Sequence, residues 1–401
     1  MTTRTGLMHA CRRLAGHGIA TAGLALLLAA SPAAMAGANK PGSTASYSYF
    51  VTGNPDAVVT APSTLNASSF VLMGGGPDVD EAFQWMIQRA GITPKTGGRF
   101  VVIRATGTEA YNPYIYYSNA ASSTSSPPAE LWVGGAALGL SSVETLVIPS
   151  VAAANDDRVN AIVGRANAVF IAGGDQADYI RYWKGTKLDA TLKSLMAKNI
   201  PLGGTSAGLA VLGQFDYAAL NGTVTSKQAL SNPYNKYMTL DPAPLALSGG
   251  FLAPPALANL ITDSHLDTRD RMGRLFAFVA RLVRPDGGTG CSGGVLPAGG
   301  GTATARGIGI GVETALLVQG DRAGVTARRV TNPSTETESA VYFVRPLNPP
   351  TACIDGKPLT MTTVEVQKLA DSNTEFNLRE WTGLTPRTFD AVSGELTAWP
   401  Y

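Results

Sequence analysis

Metal ligands are scarce in this sequence. Its 401 residues include three histidines and three cysteines, and these do not follow the Cys/His spacing that holds zinc. Basic residues are not in clear excess either, with 31 Lys and Arg against 29 Asp and Glu. A nucleic-acid-binding protein usually carries a basic patch. We therefore expect no metal, no other cofactor and no nucleic-acid partner.

Long apolar runs are also missing, which argues against a membrane-spanning helix. The run from Ile19 to Ala30 is 12 residues long, whereas a helix needs roughly 20 to cross a bilayer. Three arginines precede this run, and residues 34–36 are Ala, Met and Ala, as at a signal-peptidase site. The pattern predicts a cleaved signal peptide over residues 1–36. We expect a secreted or periplasmic protein with no membrane contact once the leader is removed.

Removal of the leader would leave few residues able to act as a base or to form a disulfide. Two histidines and one cysteine lie within it, so His265 is the remaining histidine, and Cys291 and Cys353 are the remaining cysteines. The charge balance becomes 28 basic against 29 acidic residues. In an oxidising compartment, one disulfide between the two cysteines is the simplest expectation.

The rest of the chain divides into three segments. Residues 37–68 are rich in Ala, Ser, Thr, Gly and Pro, which indicates an extended lead-in. In residues 69–320, short apolar runs alternate with helical patterns, as in an α/β domain whose parallel sheet is covered by helices on both faces. Two apolar runs near its end, at 308–310 and 314–318, look like the arms of a hairpin. Residues 321–401 read as a C-terminal extension.

The segment Gly204-Thr205-Ser206-Ala207-Gly208 fits the pattern Gly-x-Ser-x-Gly. A nucleophilic serine on a sharp strand-to-helix turn needs small neighbours because larger side chains would collide. The N–H of the next residue is then free to stabilise an oxyanion. The pattern alone is weak in a chain with 45 glycines, where a loop or a helix cap is the alternative. An apolar strand before it and a helical pattern after it favour a nucleophile.

A serine hydroxyl needs a base to take its proton, and His265 is the histidine left for that role. The alternative is an ordinary surface histidine beside a helix start. Arg269, Arg271 and Arg274 follow it closely. Because a guanidinium group pairs a carboxylate in a bidentate manner, these arginines indicate either a grip on an acidic substrate or a solvated, charged helix end.

Three motifs in this order resemble those of cyanophycinase and its relatives, which include the aspartyl dipeptidase called peptidase E. The resemblance covers about residues 68–320, and exported proteins with a leader and a C-terminal extension occur in that family. The motifs are Gly173-Gly174-Asp175-Gln176, then Gly204-Thr205-Ser206-Ala207-Gly208, then Asp263-Ser264-His265 followed by Arg269-Asp270-Arg271-Met272-Gly273-Arg274-Leu275.

The resemblance implies a fold of the class I glutamine-amidotransferase, or flavodoxin-like, type and a serine peptidase that cleaves next to aspartate. For a cyanophycinase, the substrate is a polyaspartate carrying arginine on each side chain, which is released as β-aspartyl-arginine. The family is often dimeric, and the sequence neither supports nor opposes a homodimer. The implied roles are nucleophile for Ser206, base for His265, oxyanion donors for Gly174 and Ala207, and substrate contacts for Gln176, Asp263, Arg269, Arg271 and Arg274.

Two positions depart from the family pattern. Ser264 stands where a glutamine is common, and the segment 221–230, where the family's triad acid is expected, contains no carboxylate. Gln228 is the nearest equivalent, and Asp216 or Asp241 are alternatives. A neutral amide orients an imidazole but stabilises its charged form less than a carboxylate does. The absence of the acid weakens the prediction of the substrate more than the prediction of the nucleophile.

Three functional hypotheses remain after this reading. The first is an exported serine peptidase of the cyanophycinase type. The second keeps the same site but acts on other aspartyl or isoaspartyl peptides. The third, motivated by the missing acid, is a secreted binding protein for acidic peptides or polymers that has no catalytic activity.

Overall fold

The computed structural model describes residues 46–117, 134–321, 324–333, 335 and 339–401. The predicted signal peptide, at residues 1–36, and the first part of the predicted lead-in lie outside the described residues. The segment 48–53, within that lead-in, is a strand of the largest sheet.

Nine strands form the largest sheet, which is mixed. In chain order they are β1 Ser48–Gly53, β2 Ser68–Met73, β3 Arg99–Arg104, β4 Ser142–Val147, β5 Ala168–Ile171, β6 Leu202–Thr205, β11 Thr314–Gly320, β12 Val325–Thr331 and β15 Glu375–Asn377. They lie side by side in the order β1-β4-β3-β5-β6-β2-β11-β12-β15. Strands β4, β3, β5, β6 and β2 are parallel, whereas β1, β11, β12 and β15 pair antiparallel with their neighbours.

Helices cover both faces of this sheet. Alternate residues of β3 point to opposite sides, so Val101 and Ile103 belong to one core and Phe100 and Val102 to the other. The helices are α1 Asp80–Arg89, α2 Tyr111–Tyr117, α3 Gly135–Leu138, α4 Val151–Ala154, α5 Asp157–Gly164, α6 Gln176–Trp183, α7 Lys187–Ala197, α8 Ala207–Ala210, α9 Ser226–Ser231 and α10 Met272–Leu282. The first core packs against α5, α6 and α7, and the second packs against α1. The predicted α/β class with parallel strands and helices on both faces is therefore confirmed. In the described part of the chain, we find no helix with the length and apolarity needed to cross a membrane.

A second sheet of six strands follows the first along the chain. Its strands are β9 Leu260–Asp263, β10 Arg306–Ile310, β13 Val341–Pro346, β14 Met361–Leu369, β16 Arg387–Val392 and β17 Glu395–Leu396. Strands β9 and β10 are parallel, and the remaining pairs are antiparallel. A short ribbon, β7 Asp216–Tyr217 and β8 Leu240–Asp241, lies between β6 and β9 in sequence. Helix α10 packs into the core of the second sheet.

The hairpin predicted from the runs at 308–310 and 314–318 is wrong. Strand β10 pairs with β9 and β13 in the second sheet, while β11 pairs with β2 and β12 in the first. The chain changes sheets at Gly311, where it passes the end of β2 so closely that a Cβ on Gly74 would lie 1.8 Å from the Gly311 carbonyl oxygen. This crossing separates two strands that are neighbours in sequence.

Residues beyond position 320 contribute to both sheets. Strands β12 and β15 extend the first, and β13, β14, β16 and β17 make up most of the second. The core of the second sheet combines residues from 215–296 with residues from 340–391. The expected disulfide between Cys291 and Cys353 is present in the structure, with Cα atoms 5.1 Å apart, and both cysteines are buried.

Candidate active site

Ser206 lies on the turn that joins β6 to α8. Its backbone has φ 52° and ψ −112°, a conformation that is uncommon for residues other than glycine. The flanking glycines make this turn sterically feasible. A Cβ on Gly204 would lie 2.4 Å from the Gly208 carbonyl oxygen, and a Cβ on Gly208 would lie 2.1 Å from that of Ile171. The two glycines of Gly-x-Ser-x-Gly are thus required by close backbone contacts.

The structure brings the predicted base to the predicted nucleophile. His265 follows β9, and its Nε2 lies 2.9 Å from Oγ of Ser206. Its backbone N–H donates to the Gly74 carbonyl oxygen at 2.8 Å, and its φ is 49°. The bond to Gly74 ties the histidine to the end of β2, which is the neighbour of β6 in the first sheet. Two sheets therefore meet at this hydroxyl–imidazole pair.

Sequence reasoning left the glycine run at 74–76 without a role in the site. In the structure, a Cβ on Gly75 would lie 2.4 Å from both Cε1 and Nε2 of His265. Gly75 also has φ +99°, which disfavours any other residue. Its position directly after an apolar strand was the available signal, but only the fold shows that the imidazole packs against it.

Of the two predicted oxyanion donors, one directly follows the nucleophile and the other follows a residue that lies beside it. Ala207 directly follows Ser206, and Gly173, which precedes Gly174, would carry a Cβ only 3.5 Å from the Cβ of Ser206. Among the described residues, neither the N–H of Gly174 nor that of Ala207 has an acceptor. Both amides are consequently available to an incoming carbonyl oxygen.

Asp263 and Arg274, two of the predicted substrate contacts, bind each other. The carboxylate of Asp263 accepts from Nε of Arg274 at 2.7 Å and from Nη2 at 2.5 Å, and both residues are 2% exposed. The ring of Tyr217 lies 5.0 Å from the Arg274 guanidinium, a cation–π contact that sequence reasoning missed. A substrate could reach either group only by exchanging one of these bonds.

The other three predicted substrate contacts differ in whether their side chains already have a partner. Arg271 donates to the Ser264 carbonyl oxygen at 2.8 Å and lies 3.8 Å from the Asp263 carboxylate. Gln176, the first residue of α6, donates to the carbonyl oxygen of Tyr217 at 3.3 Å. Arg269 is exposed, and within the described ranges its guanidinium has no hydrogen bond or ion pair. Arg269 is therefore the predicted contact that is most available to a carboxylate.

The candidates for a third triad member bind other partners. Gln228 closes a capping box at the start of α9, where its Oε1 accepts from the Thr225 N–H at 3.0 Å. Asp241 pairs with Lys184 at 2.5 Å, and Asp216 is buried and accepts from the Gly213 N–H at 3.2 Å. Among the described residues, no carboxylate hydrogen-bonds to His265. Within the described part of the chain, the candidate site therefore consists of a Ser–His pair.

The surroundings of His265 favour the neutral imidazole. Burial, together with the positive charges of Arg269 and Arg271, lowers the pKa of His265 to about 4, and the negative charge of Asp263 opposes the shift. A neutral ring can accept the serine proton at neutral and mildly acidic pH. The same arginines disfavour the imidazolium that forms once the proton has moved.

The pH dependence of kcat/KM follows from this environment. We expect the acidic limb to lie near pH 4, well below the roughly 6.5 of a free histidine, because kcat/KM reports the free enzyme's groups. Arg269→Gln removes a positive charge and should move the limb to higher pH, whereas Arg269→Lys keeps the charge and should leave it in place. An acidic limb near pH 6.5 in the wild type would contradict the lowered pKa of His265. The same limb in the wild type and both variants would contradict the effect of the Arg269 charge.

The sequence was compared with protein-family models and with curated proteins. The family model described as Peptidase family S51 matches residues 136–228. The matched span contains Gly174, Ser206 and Ala207, and it ends before His265. A search of curated proteins gave no match to the sequence.

Solved structures show a distant likeness. One is a peptidase from an acI-B1 Actinobacterium, 16% identical with a TM-score of 0.43, covering 77% of this chain and 96% of that chain. Another is a proposed peptidase E protein from Listeria monocytogenes EGD-e, 14% identical with a TM-score of 0.34, covering 66% of this chain and 100% of that chain.

Proposed function

Because the chain is a serine peptidase with sequence similarity to family S51, we propose that it hydrolyses aspartyl peptide bonds, with cyanophycin as its substrate. The observation that carries the proposal is the 2.9 Å contact between Ser206 Oγ and His265 Nε2. The guanidinium of Arg269, on the same loop as His265, is exposed and has no hydrogen bond or ion pair among the described residues. The product would be β-aspartyl-arginine.

The chemistry uses an acyl-enzyme. Oγ of Ser206 attacks the scissile carbonyl carbon while Nε2 of His265 takes the hydroxyl proton. The N–H groups of Gly174 and Ala207 donate to the oxyanion. As the C–N bond breaks, the proton passes from His265 to the departing amine. Water then attacks the ester, gives a proton to His265, and the serine leaves with that proton.

The lack of a carboxylate bonded to His265 among the described residues predicts a modest turnover rate. In a complete triad, an acid stabilises the imidazolium and fixes the tautomer of the ring. Here the ring is held by its backbone bond to Gly74 and by contact with Gly75. These contacts fix its position without stabilising its charge. The site is therefore arranged for attack by Ser206, but with less electrostatic support than a triad provides.

Recognition of aspartate is proposed to begin with Arg269. Its exposed guanidinium can pair a substrate carboxylate in a bidentate manner. Arg271 is bound to Ser264 and lies close to the Asp263–Arg274 pair. We propose that this buried pair, with Gln176, shapes the floor of the substrate site and exchanges bonds with substrate only on binding.

We also propose that the protein is exported. The basic start, short apolar run and small residues before position 37 match a cleaved leader. The Cys291–Cys353 disulfide suits an oxidising compartment.

Incubation with cyanophycin granules tests the substrate. We expect the chain processed after residue 36 to clear a granule suspension and to release β-aspartyl-arginine, and Ser206→Ala to do neither. A panel of isoaspartyl dipeptides without arginine serves as the comparison. Hydrolysis of that panel with intact granules would favour the second hypothesis and overturn the cyanophycin assignment. Granules that bind both proteins and never dissolve would favour a binding protein.

A further inference from the structure

The segment 397–401, which follows β17, returns to the loop that carries the proposed base. We call residues 264–271, between β9 and α10, the base loop. The hydroxyl of Tyr401 accepts from the Met272 N–H at 2.9 Å and donates to the Leu266 carbonyl oxygen at 2.9 Å. It also lies 3.2 Å from a carboxylate oxygen of Asp270. One side chain thus contacts Leu266 and Asp270 within this loop and Met272, the first residue of α10.

These contacts surround the residues of the loop that are proposed to act on substrate. Leu266 directly follows His265, and Asp270 directly follows Arg269. The Arg269 side chain has no partner among the described residues, so its position depends on how the backbone on either side is held. Tyr401 binds that backbone at Leu266 and, through Met272, at the first turn of α10.

The ring of Tyr401 is fixed independently of its hydroxyl. It packs edge-on against Tyr342 with centroids 5.6 Å apart, and against Trp399 at 4.8 Å. Burial raises the pKa of Tyr401, so its hydroxyl keeps its proton over the working range of the enzyme. The hydroxyl can therefore donate one bond and accept another at the same time.

Other bonds hold different parts of the loop. The Asp267 carboxylate accepts from the Val312 N–H at 3.2 Å and from the Ser339 hydroxyl at 3.3 Å, and the Ser226 hydroxyl donates to the Asp270 carbonyl oxygen at 2.5 Å. None of them joins the two ends of the loop. That connection is made by Tyr401 and by two bonds of Arg271, one from its N–H to the Leu266 carbonyl oxygen and one from its guanidinium to the Ser264 carbonyl oxygen.

We propose that Tyr401 is a positioning residue for His265 and Arg269, and that segment 397–401 serves the active site through this hydroxyl. The inference uses the proposed function only in requiring that Ser206 and His265 react together, and it does not depend on which peptide is cleaved. It gives the C-terminal extension a role in catalysis through a contact that is distant in sequence.

The test is Tyr401→Phe, which removes the hydroxyl and keeps the ring. We expect the rate of Ser206 acylation by a fluorophosphonate, measured per folded molecule, to fall about tenfold because small displacements of a base are costly. We also expect KM for an acidic peptide to rise. Amide exchange at Met272 should become roughly fivefold to tenfold faster, as for the loss of one buried hydrogen bond.

Thr397→Val is the matched control. It removes a hydroxyl from the same segment, one that donates to the Asp390 carbonyl oxygen at 3.3 Å and does not reach the base loop. It should leave acylation and Met272 exchange unchanged. Wild-type acylation together with unchanged exchange in Tyr401→Phe would overturn the proposal. Failure on granules with normal fluorophosphonate labelling would instead count against the substrate assignment alone.

Discussion

Replacement of His265 by asparagine is expected to lower kcat/KM about 10³-fold, which is the middle of the range for loss of a general base. The imidazole Nε2 lies 2.9 Å from the Ser206 hydroxyl, and an amide in its place can accept a hydrogen bond without taking a proton. Asparagine is chosen because it tolerates the left-handed backbone found here, with φ 49°. Steady-state kinetics on a chromogenic aspartyl peptide checks the loss.

The double variant Ser206→Ala with His265→Asn is the control for this prediction. Residues that act as one catalytic unit are strongly non-additive, so the double variant should be no slower than Ser206→Ala alone. Two losses that multiply would mean that the serine and the histidine work separately. An unchanged unfolding temperature for each variant would show that the loss of kcat/KM arises at the active site and not from loss of the fold.

Gly75→Ala is expected to lower kcat/KM about 10²-fold, the order of effect of moving a catalytic group by roughly 1 Å. Its Cβ would lie 2.4 Å from Cε1 and Nε2 of His265, so the ring must be displaced from the position in which Nε2 contacts Ser206. The loss should appear in kcat and in fluorophosphonate acylation alike, because both depend on the position of the imidazole. Pre-steady-state labelling kinetics would measure it.

Gly76→Ala separates this displacement from backbone strain. Gly76 also has a positive φ, +81°, but its Cβ would first meet Val312, at 3.3 Å. Both variants carry the roughly 1–2 kcal/mol penalty of a left-handed alanine, and only Gly75→Ala pushes the imidazole. Equal activities for the two variants would show that the contact between Gly75 and His265 has no part in catalysis.

The parts of the site that the sequence predicts are local. Ser206 could be found because the nucleophile turn, its glycines and its preceding strand are contiguous in the chain. The oxyanion donors follow from the same turn and from the glycines at the end of β5. His265 could be named as the base by elimination, since the other two histidines lie in the predicted leader, but its distance to Ser206 was a hypothesis that only a fold could test.

Pairings between charged side chains are not predictable in this way. Asp263 and Arg274 have the residue types of substrate contacts, yet they lie one helical turn and a loop apart and meet each other. Likewise, Gln228 has the residue type of a neutral triad member, but its own helix needs a cap and takes its amide. Residue type gives the available chemistry, whereas the fold decides which partner is met first.

Strand pairing could not be predicted where an irregular backbone interrupts the alternation of apolar and polar residues. Strand β14 has a register shift between Met361 and Val364, with Thr363 at φ 58°, so its apolar residues do not alternate along the sequence. The predicted hairpin failed for another reason. Adjacent strands usually pair, but the close crossing of Gly74 and Gly311 sends them to different sheets.

The most direct measurement of the central claim is covalent labelling with a fluorophosphonate, followed by peptide mapping. If the His265 imidazole activates the Ser206 hydroxyl, the wild-type chain gains one adduct, mapped to the peptide that contains Ser206. Ser206→Ala then gains none and His265→Asn gains it far more slowly. Equal labelling of the wild type and Ser206→Ala, or an adduct at another residue, would contradict the account.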